Sequence, residues 1–179
     1  MKLFPALLFS LALAVCVFAA VRLTAQSEST LPAAGQKAPT FTLPSQDGSQ
    51  ISLDAFHGKW VVLYFYPKDM TSGCTIEAHN FQRDLAQFEA RHAVILGVSV
   101  DSSSSHQQFC TKEGLTFRLL ADQSHAVTKA YGSLSEHLGF AYAQRNTFLI
   151  DPQGNIAHVW TKVSPATAST DVLSALPAK

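Results

Sequence analysis

The residues Trp60-Val61-Val62-Leu63-Tyr64-Phe65-Tyr66 run directly into Pro67-Lys68-Asp69-Met70-Thr71-Ser72-Gly73-Cys74. The first seven are a continuous apolar run rich in valine and aromatics, which predicts a buried central strand. Pro67 has no N–H to continue a ladder and ends it. A short polar loop then leads to Cys74, where a helix over 74–92 is expected: Phe81, Leu85 and Phe88 fall on one face at helical spacing. A cysteine in a helix first turn faces unpaired N–H groups and the positive end of the dipole, and both favour the nucleophilic thiolate. Gly73 lets backbone amides approach a small substrate. Thr71 offers a hydroxyl three residues upstream, within reach of the sulfur if the loop curls into a turn. Pro67 can shield the pocket. On this evidence alone, a purely structural cysteine is an equal reading.

Outward from this stretch, residues 41–43 and 51–53 flank Gln46-Asp47-Gly48-Ser49, a hairpin signal. Residues 93–100 read as a second buried strand. Residues 102–113 read as a short helix with serines as caps and Gly114 as its stop. A short strand is expected at 117–120 and a helix at 125–131. Two strands, 147–150 and 156–160, surround the turn Asp151-Pro152-Gln153-Gly154-Asn155, and a last helix opens at Pro165 or Ala166. Alternating strands and helices predict an α/β layered sheet. The closing β-β-α after a βαβ unit suggests a thioredoxin-like fold: a central mixed β-sheet flanked by helices, with an N-terminal β-hairpin extension.

The chain has 179 residues, of which 47% are hydrophobic, enough for one core. Lys plus Arg and Asp plus Glu each number 13, so the formal charge is zero, and no basic run or face marks a nucleic-acid surface. Residues 3–21 are apolar apart from Pro5 and Ser10, between Lys2 and Arg22. Residues 1–25 read as a signal peptide or an N-terminal membrane anchor. Such a helix would rise roughly 28 Å, about one hydrocarbon thickness. Cleaved signal, retained anchor and a lipoprotein site at Cys16 all remain open, and for a bacterial chain each places the folded part beyond the inner membrane. Residues 26–36, rich in small and polar residues, read as a flexible tether, and the folded domain as 37–179.

The pattern Pro67-x-x-x-Thr71-x-x-Cys74 resembles the peroxiredoxin active-site signature. Tyr66-Pro67-Lys68-Asp69, Gly73-Cys74-Thr75 and Glu77 resemble its PrxQ branch, the bacterioferritin comigratory proteins. The stretch Gln144-Arg145-Asn146-Thr147-Phe148-Leu149-Ile150-Asp151 matches the place where that family carries a second active-site arginine. The resemblance implies a thiol-dependent peroxidase that reduces hydrogen peroxide and organic hydroperoxides at Cys74 as antioxidant defence. It requires no cofactor and no metal. Thr71 and Arg145 would hold the peroxide, Arg145 would stabilise the thiolate, and amides at Gly73 and Cys74 would add donors. Glu77 either orients the arginine or is a solvated carboxylate favoured by the helix dipole. The product would be a sulfenic acid on Cys74.

Many PrxQ members carry a resolving cysteine five residues after the first, where this chain has His79. Some place it on the helix that here carries Cys110, so the resemblance makes Cys110 the expected resolving partner, in an intramolecular disulfide. Resolution by an external thiol, as in a one-cysteine enzyme, stays open. A thioredoxin- or glutaredoxin-like reductant and a monomeric state are the further expectations. A disulfide oxidoreductase would need Cys-x-x-Cys, and Thr71 stands in place of its first cysteine. An exported copper- or thiol-handling protein is the remaining alternative, but His57, His79, His92, His106, His125, His137 and His158 show no ligand-like spacing.

Overall fold

The order of elements follows the apolar runs and their breakers. The structure, a computed structural model, describes residues 31–178; the apolar segment 3–21 and Cys16 lie outside the described residues. The elements are β1 (Thr42–Pro44), β2 (Gln50–Ser52), a 3-10 turn (Leu53–Phe56), β3 (Trp60–Phe65), α1 (Ser72–Ala90), β4 (Ala93–Ser99), α2 (Ser103–Glu113), β5 (Arg118–Ala121), α3 (Ala126–Ala130), β6 (Leu134–His137), β7 (Phe140–Ala143), β8 (Thr147–Ile150), β9 (Ile156–Trp160) and α4 (Ala168–Ala175).

The central sheet has the order β5-β4-β3-β8-β9. β3 pairs parallel with β4 and antiparallel with β8, so the sheet is mixed, as the thioredoxin-like reading requires. Alternation along β3 divides the apolar core in two. Val62, Tyr64 and Tyr66 face one cluster with Phe81, Phe88, Phe109 and Val172, contributed by α1, α2 and α4. Val61, Leu63 and Phe65 face the other with Phe41, Leu43, Tyr131 and Phe148, under the β1–β2 hairpin and α3. Tyr64 stacks on Phe81 at 4.7 Å and on Tyr66 at 5.5 Å, seating α1 on the sheet. Gly97 on β4 is needed for this: a Cβ there would sit 2.7 Å from the Tyr64 ring and hydroxyl.

Several boundaries move from their expected places. α1 starts at Ser72 because Thr71, extended at φ −86° and ψ 149°, is its N-cap. α2 is capped by Ser102, whose Oγ accepts from Ser105 N–H, and ends at left-handed Gly114, as its serines and glycine imply. α4 starts three residues after Pro165. The hairpin β6–β7 had no expected counterpart. Of its strand residues only Ala143 is buried, and Leu138 and Phe140 at its tip are largely exposed, so it leaves no periodic signal. Within the stretch read as a tether, Gly35 N–H donates to Ile156 O, and Ile156 N–H donates to Gln36 O, joining these residues to β9.

Candidate active site

The strand–proline–loop–helix stretch and the segment before β8 converge at one end of the sheet. The β3–β8 register pairs Tyr64 with Thr147, which sets Arg145 just beyond the end of β3. The arginine's backbone is fixed from both sides. Asn146 O accepts from Phe65 N–H at 2.8 Å, and Arg145 O accepts from Val163 N–H at 2.9 Å. Asn146 also donates through Nδ2 to Ser133 Oγ.

Cys74 is the third residue of α1 and is buried. The first ladder bond of the helix runs from Thr75 N–H to Thr71 O, so the amides of Gly73 and Cys74 precede the ladder. Arg145 Nη2 donates to Cys74 Sγ at 3.3 Å, across 71 residues of sequence. Its other nitrogen, Nη1, donates to Glu77 Oε2. Glu77 is fully buried, one turn after Cys74, and burial pushes its carboxyl up to about 7 although Arg145 pulls the other way. The guanidinium stays strongly basic: burial opposes its charge, while Glu77 and Cys74 hold it. The second carboxylate oxygen of Glu77, Oε1, has no partner among the described residues. Gly73 lies beneath the arginine, where a Cβ would be 3.4 Å from Nη2.

Thr71 is exposed, and its hydroxyl donates to Lys68 O at 3.0 Å rather than to the sulfur. Pro67 is partly buried after the end of β3. Met70 takes a left-handed φ of 58°, which turns the chain from a buried Asp69 to the exposed N-cap. The structure therefore gathers Cys74, Arg145, Glu77 and Gly73 in direct contact, with Thr71 and Pro67 in the loop that leads to them.

Cys110 occupies the last turn of α2 and belongs to the same apolar cluster as Cys74; the two thiols are free. Burial, helped by the Asp69 charge, pushes the Cys110 thiol up to about 11.

Sequence reading missed the polar group around Asp69. The buried Asp69 carboxylate accepts from Tyr66 Oη at 2.7 Å, Ser105 Oγ at 2.7 Å and His106 Nδ1 at 2.8 Å. Burial opposes its charge, but these bonds keep it below the usual carboxylate range. His106 is fully buried, and its Nε2 has no partner among the described residues. The available signal was Asp69 itself, inside the motif, with a histidine four residues before Cys110. At the other end of α2, His79 Nε2 lies 3.0 Å from Glu113 Oε2.

Residues 34–159 match the AhpC/TSA family. The chain is 42% identical over 147 residues to peroxiredoxin Bcp of Xanthomonas campestris, covering 79% of this chain and 92% of that protein. It is 41% identical over 146 residues to peroxiredoxin Bcp of Bacillus subtilis, covering 79% and 93%. Among solved structures it resembles a PrxQ mutant from Xylella fastidiosa, with a TM-score of 0.78 at 34% identity, over 82% of this chain and 96% of that one. It also resembles the bacterioferritin comigratory protein of Xanthomonas campestris, studied for alkyl peroxide reduction, with a TM-score of 0.75 at 38% identity, over 80% and 97%.

Proposed function

The chain belongs to the AhpC/TSA family and is a peroxiredoxin, a thiol peroxidase, and we propose that Cys74 is its peroxidatic residue and Cys110 its resolving one. The observation that carries this reading is the bond from Arg145 Nη2 to Cys74 Sγ at a helix start. A guanidinium and two unladdered amides offer donors to the sulfur and to a peroxide oxygen as it develops charge. The thiolate attacks one peroxide oxygen in line with the O–O bond. That bond breaks, the electron pair leaves on the far oxygen, and a proton converts it to water or an alcohol. Cys74 is left as the sulfenic acid. Glu77 holds Arg145 over the sulfur, and Thr71 and Pro67 belong to the loop that leads to it, where Thr71 would help hold the peroxide.

Cys110 then closes on Cys74. Its thiol loses a proton, its sulfur bonds to Cys74 Sγ, and the hydroxide leaves as water. A thioredoxin- or glutaredoxin-like dithiol restores both thiols by exchange. Hydrogen peroxide and organic hydroperoxides are both substrates in this reading, and antioxidant defence is the role. The apolar segment 3–21 supports export with either cleavage or anchoring, and a monomer is proposed from the family resemblance. The test is one equivalent of peroxide followed by thiol alkylation and mass analysis. A Cys74–Cys110 disulfide is expected. A sulfenic or sulfinic Cys74 beside a free Cys110 refutes the pairing and leaves the one-cysteine cycle.

A further inference from the structure

Resting on the reading that Cys110 resolves, we propose that two histidine–carboxylate pairs, His106 with Asp69 and His79 with Glu113, clasp the two ends of α2 and thereby set the rate at which Cys110 closes on Cys74. The argument starts from how little else holds this helix. Of its eleven residues only His106, Phe109 and Cys110 are buried. Phe109 anchors it by apolar contact with Tyr66, ring centroids 6.5 Å apart. His106 supplies the polar anchor, from α2 to Asp69 in the loop that leads to Cys74. A hydrogen bond to a buried ionised carboxylate is among the stronger ones in a protein. Ser105 adds a second bond from α2 to the same carboxylate.

The second clasp joins α2 to α1. His79 lies on α1 five residues after Cys74, and it meets Glu113 in the last turn of α2. His79 is half exposed, so this pair is the weaker of the two. Between the clasps Cys110 is buried and unbonded. A disulfide has narrow geometric limits, and the two free thiols do not meet them in this structure, so closure requires a shift of the segments that carry them. Each clasp holds α2 in its present seat and opposes that shift. His106 and His79 are thus positioning residues, acting on the second step and not on the first. The second step needs no further oxidant: the S–S bond forms as the S–O bond of the sulfenic acid breaks, and water leaves.

Rapid mixing with peroxide, quenching by alkylation and mass analysis separate the two steps in the full chain. His106→Leu is expected to close the disulfide about tenfold faster and to accumulate less sulfinic Cys74, while the rate of Cys74 oxidation stays within about twofold. His106→Asn, which keeps a donor near the Nδ1 position, should return towards the parent rate. His79→Ala should accelerate closure about two- to threefold. Closure unchanged or slowed in both His106→Leu and His79→Ala overturns the clasps. If His106→Leu does not fold, His79→Ala and Ser105→Ala decide by the same criterion. If the parent chain forms no Cys74–Cys110 disulfide at all, the pairing itself falls and takes the clasps with it. A disulfide that forms at a rate indifferent to both histidines removes the clasps alone.

Discussion

Cys74 and Cys110 are both buried in one apolar cluster, at 2% and 8% exposure, yet their electrostatic surroundings are opposite. Cys74 stands at the positive end of α1 with the Arg145 guanidinium on its sulfur. Cys110 stands in the last turn of α2, at the negative end of that dipole, with the Asp69 carboxylate acting against its ionisation. Similar burial thus sets one sulfur beside a cation and a helix start, and the other beside a carboxylate that holds it as a thiol. Charge placed around a sulfur, not its exposure, is what distinguishes the two cysteines, and the proposed division of labour between them rests on that difference.

The sharpest test of that contrast is to remove each sulfur in turn. Cys74→Ser should lower peroxidase turnover by more than about a thousandfold, the loss expected for a nucleophile. Cys110→Ser should reduce one equivalent of peroxide at the parent rate and then stop in a thioredoxin-coupled assay. Single-turnover and steady-state measurements distinguish the two, and equal effects in both would break the comparison. Next in size is the guanidinium. Arg145→Ala should cost about a hundredfold in kcat/KM for peroxide, about 2.7 kcal/mol of transition-state stabilisation.

Glu77→Gln should slow peroxide reduction by about tenfold, since Arg145 loses its buried carboxylate partner. It also carries a pH signature. The folded carboxyl sits near 7 against an ordinary 4.5, so between those values the native state binds a proton that the unfolded chain has released. Stability from this group is therefore full below about pH 4.5, lost as pH rises to 7 and constant above. The stability of the parent relative to Glu77→Gln should fall by on the order of 3 kcal/mol across that window, read from urea midpoints. A difference flat in pH would show that burial does not govern Glu77. The smallest effect is expected from Gly73→Ala. A methyl group 3.4 Å from Arg145 Nη2 should shift the arginine slightly and lower the peroxide rate about two- to fivefold, with little change in melting temperature.

Much of the fold was legible because its signals are local. The apolar run of β3, the spacing of Phe81, Leu85 and Phe88 on α1, and the Ser102 and Gly114 caps of α2 each act within a few residues. The β6–β7 hairpin was not, since a hairpin with a single buried residue, Ala143, carries no apolar period. At the site, Cys74 and Arg145 were found through motifs, but the buried state of Glu77 was not. Nor was Thr71's bond to Lys68 O, because the curl of a loop is set by what packs on it. His106 looked isolated in sequence, and its partner Asp69 lies 37 residues earlier. His79 marked a missing cysteine, and its contact with Glu113 became visible only in three dimensions.

The sequence by itself determined a strand, a proline and a helix with a cysteine in its first turn, and with them the alternating pattern of an α/β sheet. These follow from backbone sterics, apolar period and the field of a helix end, all short-range along the chain. Only the tertiary structure decided which charge meets which thiol. The pairing of Tyr64 with Thr147 brings Arg145 to Cys74, and the seating of α2 brings Cys110 under the influence of Asp69. Coulomb interaction depends on distance in space, and in this chain that distance is set by sheet register and helix packing rather than by sequence separation.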